Sequence, residues 1–359
     1  MKFLFAFAIV ACVFGSAFGQ TETVLYSFGA FPADGIGPTG GLLFDSAGNI
    51  YGITNGGGPY CGSDGGCGTV YELSPASGDG WTETILHNFC STGDPFTCPD
   101  GAGPFAGLIM DAGGNLYGTT AGGGTGQWGT VFRLSPPSGG NGNWTETVLW
   151  NFAMASDNGY LPGYGKLNMD AKGNIYGTTT RGGTKNLGTV FELSPLGSGT
   201  YSFAILHSFS GPDGAEPQYG VAIDGSGNLY GTTENGGSGK ATCTYGCGVV
   251  YELSLSNGTW QETTLYRFDG TVGAYPISPI SIDQDGTLYG TFLNGGTGSC
   301  FLGTCGGVFK LVPQVDGEKK YVFYFNGGQA SGNPESGVMV GETTRFTALW
   351  VLEMETSTC

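Results

Sequence analysis

Asp45-Ser46-Ala47-Gly48-Asn49-Ile50-Tyr51-Gly52 returns as Asp111-Ala112-Gly113-Gly114-Asn115-Leu116-Tyr117-Gly118 and as Asp170-Ala171-Lys172-Gly173-Asn174-Ile175-Tyr176-Gly177. It returns again as Asp224-Gly225-Ser226-Gly227-Asn228-Leu229-Tyr230-Gly231 and as Asp283-Gln284-Asp285-Gly286-Thr287-Leu288-Tyr289-Gly290. Successive copies start 66, 59, 54 and 59 residues apart, whereas Asp to Tyr is always 6. Length variation therefore avoids the block, as it must where a tight hairpin turn sets strand register.

Working outward, the first unit reads as four strands by alternating apolar residues and turn signals: 41–45, 49–54, 69–73 and 81–89. We label these A to D. No stretch carries helical spacing with caps. Four short antiparallel strands per unit of about 60 residues, repeated five times, point to an all-β fold, a β-propeller whose blades bury their faces against one another. A degenerate sixth unit follows: Val338-Met339-Val340 begins a strand A, but 341–359 contains no further Asp-x-x-Gly-Asn turn, as a truncated or frameshifted blade would. Residues 21–28 match strand D without a preceding A, B and C, and are expected to complete the last blade.

Residues 1–19 combine Lys2, a short apolar run and Ala17-Phe18-Gly19, the pattern of a signal peptide cut before Gln20. A lipoprotein-like box ending at Cys12 is the competing reading. The repeat domain then spans 20–340, and no other segment is apolar enough for a transmembrane helix. The expected location is secreted, cell-surface or periplasmic. Net charge is −17, from 29 acidic and 12 basic residues, which argues against nucleic acid as a partner. Glycine supplies 71 of 359 residues without a triplet period, so it punctuates strands rather than building collagen.

The run Gly-Asn-Leu-Tyr-Gly-Thr-Thr-x-x-Gly-Gly at 114–124 and 227–237, followed by Gly-x-Val-[Tyr/Phe]-x-Leu-Ser-Pro, resembles the GloVer (Gloeo/Verruco) repeat of bacterial exported choice-of-anchor tandem-repeat proteins. The resemblance covers nearly all of 21–340. It implies a surface or secreted protein and carries over no catalytic residue.

Eight cysteines fall in local pairs: Cys61/Cys67, Cys90/Cys98, Cys243/Cys247 and Cys300/Cys305. In an exported chain such pairs favour disulfides, and unequal spacing with two histidines disfavours zinc. From the strand B Tyr to the strand C Val the distances are 19, 14, 14, 20 and 19 residues, and the three long B–C loops are those with a cysteine pair. Because antiparallel strands alternate direction, B–C and D–A loops share one face. Elaborated loops on one face mark a binding surface or simply braced loops.

The Asp-x-x-Gly-Asn block is read as a turn rather than a calcium loop, since it lacks the further acidic ligands. Neither a metal nor a cofactor is expected. His87 and His207 replace the aromatics Tyr26, Trp150 and Tyr266 of other units and are read as packing residues. A single site needs residues that break the repeat. On the loop face these are Arg181 and Glu234, with Asn235 beside Glu234 as a further binding candidate; Tyr60, Trp128 and Tyr245 in the same loops serve either as platforms for sugar rings or as ordinary loop packing. No partner carboxylate for Glu234 is identifiable. The leading expectation is a non-enzymatic glycan- or protein-binding module. A carbohydrate-active enzyme with paired carboxylates at the axis is the alternative, and a structural envelope protein the third reading.

Overall fold

The computed structural model describes residues 23–29, 34–59, 67–78, 80–91, 98–140, 142–154, 157–162, 164–237, 243–271, 273–295, 306–313, 319–324, 338–340 and 346–348. The signal segment 1–19, Tyr60, Cys61, Cys300 and Cys305 lie outside the described residues, as does most of 341–359. Among the described residues no helix is long and apolar enough to cross a membrane.

Five four-stranded antiparallel sheets form a five-bladed propeller. Blade 1 holds β1 (Gly35–Phe44), β2 (Ile50–Gly57), β3 (Thr69–Pro75) and β4 (Trp81–Asn88), paired in that order. Blade 2 holds β5 (Ile109–Met110), β6 (Leu116–Thr120), β7 (Gln127–Ser135) and β8 (Thr145–Ala153). Blade 3 holds β9 (Asn168–Met169), β10 (Ile175–Thr179), β11 (Thr189–Gly197) and β12 (Thr200–Ser208). Blade 4 holds β13 (Val221–Ile223), β14 (Leu229–Thr233), β15 (Val249–Ser256) and β16 (Thr259–Arg267).

In blade 5 the first strand is split into β17 (Ala274–Pro276) and β18 (Ser281–Ile282), both on β19 (Leu288–Asn294), with β20 (Gly307–Val312) and β21 (Lys319–Tyr324) outside. After blade 5 a two-stranded hairpin of β22 (Val338–Val340) and β23 (Phe346–Ala348) is tied to it where Ser281 Oγ donates to the Val338 carbonyl.

The fixed Asp-to-Tyr spacing has a physical reason. In blades 1 to 4 the Asp side chain accepts two backbone N–H groups and the Asn amide of its own turn, and the Tyr two places after that Asn donates its phenol to the same carboxylate. For Asp45 the Ala47 and Asn49 N–H bonds are both 2.9 Å, the Asn49 Nδ2 bond is 2.8 Å and the Tyr51 Oη bond is 3.1 Å. Asp283 keeps the Tyr289 phenol at 3.0 Å although Thr287 replaces Asn. Both carboxylate oxygens serve the hairpin itself, and Gly48 takes φ 86°, which a turn of this kind requires of its glycine.

Between blades the core is a stagger of rings. The strand C aromatic lies on the Gly of the neighbouring Tyr-Gly-Thr: a Cβ at Gly118 would overlap the Phe132 ring, and one at Gly231 the Tyr251 ring. The last aromatic of each strand D then packs on the strand C ring of the following blade. Phe89 meets Phe132 at 5.1 Å, Phe152 meets Phe191 at 5.4 Å, Phe209 meets Tyr251 at 5.1 Å and Phe268 meets Phe309 at 5.6 Å. Each of these four strand D phenylalanines is fully buried, a contribution of about 1.5–3 kcal/mol apiece.

Residues 23–29 form no strand, contrary to the expected pairing with a last blade. They nevertheless occupy the strand D position relative to blade 1, with Phe28 on Tyr71 at 4.8 Å and Tyr26 edge-on to Phe28 at 5.0 Å. Ring packing and side-chain hydrogen bonds place this segment rather than strand pairing: Tyr26 Oη donates to Glu83 Oε2 at 2.9 Å and Gly29 N to Asp34 Oδ2 at 2.8 Å.

Candidate functional site

The chain enters each blade through a residue-proline step with left-handed backbone: Gly37 (φ 65°), Gly103 (62°), Leu161 (59°), Glu216 (60°) and Tyr275 (59°) precede Pro38, Pro104, Pro162, Pro217 and Pro276. In blades 2 to 5 the proline ring sits against the glycine that opens strand C of the preceding blade, as Pro217 does at Gly188, where a Cβ would strike its Cδ. The step also lays the D–A loop over the start of the B–C loop. Ala215 and Asn235 exchange backbone hydrogen bonds of 2.9 and 3.0 Å, and Tyr160 and Arg181 bonds of 2.9 and 3.2 Å. Repeat architecture thus delivers side chains from two loops of one blade and one loop of the preceding blade to a common spot.

Between blades 3 and 4 that spot is a cleft of about 750 Å³. Arg181, Glu216, Asn235 and Tyr245 line it, with a floor of glycines that includes Gly236, Gly237 and Gly246. Arg181 Nη2 lies 2.7 Å from Glu216 Oε1, and Asn235 Nδ2 donates to Glu216 Oε2 at 2.9 Å. Both carboxylate oxygens of Glu216 are therefore occupied. Tyr245 is 79% exposed, a flat ring presented to solvent at the rim. Its backbone is fixed from both sides: the Gly236 N–H donates to the Tyr245 carbonyl at 2.8 Å, and the Cys243–Cys247 disulfide closes the tripeptide that carries it.

Three of the six residues singled out in the sequence, Arg181, Asn235 and Tyr245, thus meet in one cleft. Glu234 stands beside it and accepts from Gln218 Nε2. Burial raises the Glu234 carboxyl and the nearby Glu216 charge raises it further, against the pull of Gln218 and Arg181. The expectation that Glu234 lacks a neighbouring carboxylate is corrected by Glu216. That residue was missed because it precedes Pro217 in a D–A loop, whereas the sequence reading compared B–C loops. The legible signal was the step itself, which carries glycine in units 1 and 2, Leu161 and Tyr275 in units 3 and 5, and a charge only here. Trp128 does not line the cleft; it packs edge-on to Tyr160 at 5.2 Å, as ordinary loop packing.

Two expected disulfides are formed, Cys90–Cys98 and Cys243–Cys247, and Cys67 is disulfide-bonded as well. Cys67 Sγ lies 3.8 Å from Cys98 Sγ, so the stapled B–C and D–A loops of the first two blades meet on one face. Cys67, Cys90 and Cys98 bring their sulfurs within 4.8 Å of one another, but sulfurs joined in disulfides are not thiolate ligands.

His87 and His207 pack edge-on to Phe89 and Phe209 at 4.8 and 4.7 Å. Each also faces an aspartate of its D–A loop. His207 Nε2 is 3.0 Å from Asp213 Oδ2, and His87 Nε2 is 3.3 Å from Asp100 Oδ2 in poorer alignment. These carboxylates hold the loop backbone: Asp213 accepts from Ser210 N at 2.8 Å and Asp100 from Cys90 N at 3.0 Å. Asp34 does the same with Gly29 N at 2.8 Å beneath Tyr26. The same slot thus holds His or Tyr above an aspartate that binds loop N–H groups, and in each case the aspartate clamps the loop.

No curated protein is significantly similar to the chain in sequence. Among solved structures it is similar to a glucose dehydrogenase-type oxidoreductase of Thermus thermophilus, at 16% identity over 87% of this chain and 90% of that one, TM-score 0.48. It is also similar to a protein from Lactobacillus plantarum (14% identity, 80% and 70% covered, TM-score 0.46). A gluconolactonase of Xanthomonas campestris gives 14% identity, 82% and 77% coverage and a TM-score of 0.43. The sequence profile of the Gloeobacter/Verrucomicrobia repeat matches residues 12–191, 62–304 and 145–349 in overlapping runs. With these matches spanning the blades and their turn blocks, the chain belongs to the Gloeobacter/Verrucomicrobia repeat family.

Proposed function

We propose that this chain is an exported, non-enzymatic module that binds a glycan in the cleft between blades 3 and 4. One observation carries the reading: an exposed aromatic ring, Tyr245, stands over a glycine floor beside a fixed set of planar polar groups from Arg181, Glu216 and Asn235. A sugar ring offers an apolar face for such a platform and hydroxyls for such an edge, and the disulfide under Tyr245 pre-organises the platform before binding. Disulfides in two loops of this face agree with an oxidising compartment, in line with the signal-like segment 1–19. The test is a glycan array probed with the purified chain and with its Tyr245→Ala variant. Selective binding that Y245A loses supports the reading; equal binding by both would move the site elsewhere.

A second reading, a carbohydrate-active enzyme, draws on the adjacency of Glu216 and Glu234, two carboxylates in different surroundings. It is weaker because both oxygens of Glu216 are occupied. Product analysis after incubation with a bound oligosaccharide decides it: cleavage that Glu234→Gln abolishes would replace the binding module with an enzyme.

A further inference from the structure

We infer that Glu216 sets the class of glycan this cleft takes: by pairing with Arg181 it keeps the cleft for uncharged sugars and turns uronic acids away. The inference rests on the reading that the cleft binds glycans, and goes on to name which.

Arg181 and Glu216 are the only charged side chains lining the cleft among the described residues. Arginine ordinarily makes a sugar site select carboxylates, since its planar fork matches them in two parallel hydrogen bonds. Here that fork already carries a carboxylate. The Glu216 side chain is 18% exposed against 39% for Arg181, so the pair is open from the arginine side and closed from the glutamate side. Asn235 holds the second oxygen, and the Glu216 backbone N–H donates to the Leu187 carbonyl at 2.8 Å, so both the carboxylate and the backbone that carries it are anchored.

A uronate reaching Arg181 would either displace Glu216 or sit on the remaining N–H groups beside it, with the arginine charge already matched. Either way a largely buried carboxylate faces both the newcomer and Glu234, a like-charge arrangement with no further cation among the described residues lining the cleft. A neutral sugar meets no such cost. Its hydroxyls add to the free N–H groups of Arg181 and to the side-chain carbonyl of Asn235 without parting the ion pair. The net charge of −17 works in the same direction at long range.

The step before the proline takes Gly37, Gly103, Leu161, Glu216 and Tyr275 at nearly the same φ of 59–65°, so the turn accepts side chains of different kinds. Only Glu216 among them brings a charge, and it brings it to the cleft.

The experiment compares neutral β-glucan and xylan oligosaccharides with oligogalacturonate and oligoglucuronate of matched length, binding to the wild type and to Glu216→Gln and Glu216→Gly. The glycine variant relieves the backbone and guards against a folding failure of the glutamine variant. The wild type is expected to bind a neutral series at least about tenfold more tightly than any uronate, and both variants to gain about tenfold or more for uronates. Adding Arg181→Gln to E216G should remove that gain. Wild-type binding of uronates as tight as of neutral sugars, or folded variants with no gain, would overturn the inference while leaving glycan binding intact. Binding of neither series to the folded wild type would remove the glycan reading, and this inference with it.

Discussion

The Phe28 ring lies 4.8 Å from that of Tyr71, and the contact repeats what Phe89 does to Phe132, Phe152 to Phe191 and Phe209 to Tyr251. A segment with no strand pairing thus fills, for the first blade, the place that the previous blade's outer strand fills elsewhere. It shields Ile50, Tyr71 and Leu73, which no other blade covers among the described residues. Phe28→Ala should therefore destabilise the chain by roughly 1–3 kcal/mol, below the range for a fully buried phenylalanine because this ring is half-buried. Chemical denaturation of F28A would measure it, and a change within error would show that residues 23–29 contribute nothing to blade 1.

The Asp213 clamp predicts a loss of stability in acid. Burial alone would raise this carboxyl, but His207 and the Ser210 backbone and hydroxyl bring it down to about 2 from an ordinary 3.8. A carboxyl depressed in the folded state stabilises the fold fully above its unfolded value and ceases to do so as pH falls through the folded one. Asp213 should thus support the fold above about pH 4 and lose its contribution between about 4 and 2. Asp213→Asn should melt lower than wild type at pH 7 and converge with it near pH 2; parallel melting curves at both pH values would refute the clamp.

Glu146 predicts the opposite trend. Burial, with the Asp100 charge adding to it, pushes this carboxyl up to about 7, and its Oε1 is buried without a hydrogen bond. A raised carboxyl is harmless below its unfolded value near 4.5 and destabilises progressively as pH rises towards 7 and the buried group must ionise. Glu146→Gln should leave stability at pH 4.5 nearly unchanged and raise it at pH 8 by about 1 kcal/mol, a figure reduced for partial exposure. Thermal melts across this range test the sign directly.

The Cys243–Cys247 bridge predicts a local rather than global role. It closes a separation of 4 residues, and a ring that short stabilises by about 2 kcal/mol at most in the chain-entropy picture. Cys243→Ser with Cys247→Ser should therefore leave the chain folded but release Tyr245, weakening glycan affinity by several-fold or more. Calorimetric titration beside a melting curve separates the two effects. Unchanged affinity would take Tyr245 out of the binding site.

Much of the fold was legible because it is local. The Asp-to-Tyr spacing of 6 is one carboxylate reaching its own turn and the phenol two residues beyond it, so the hairpin's geometry is written within eight consecutive positions. The alternation of 81–89 announced strand β4 to within a residue of Trp81–Asn88, and the aromatic-glycine contact of Phe132 on Gly118 explains why Tyr-Gly-Thr recurs. Of the candidate cleft, the sequence reading reached Arg181, Asn235 and Tyr245, all of them in B–C loops, and not Glu216, which lies in a D–A loop.

What the sequence alone determined, then, is the unit: its turn, its four strands, its buried rings and the loops that differ between copies. Each follows from backbone and side-chain preferences acting over a few residues. The tertiary structure decided which loops meet. Glu216 reaches Arg181, 35 positions earlier, because Pro217 seats against Gly188 and carries the D–A loop across the preceding blade. Cys67 touches Cys98 for the same reason, at the junction where Pro104 abuts Gly68. Contacts between blades depend on how whole sheets stack, a property of the assembled rings and prolines that no single repeat contains.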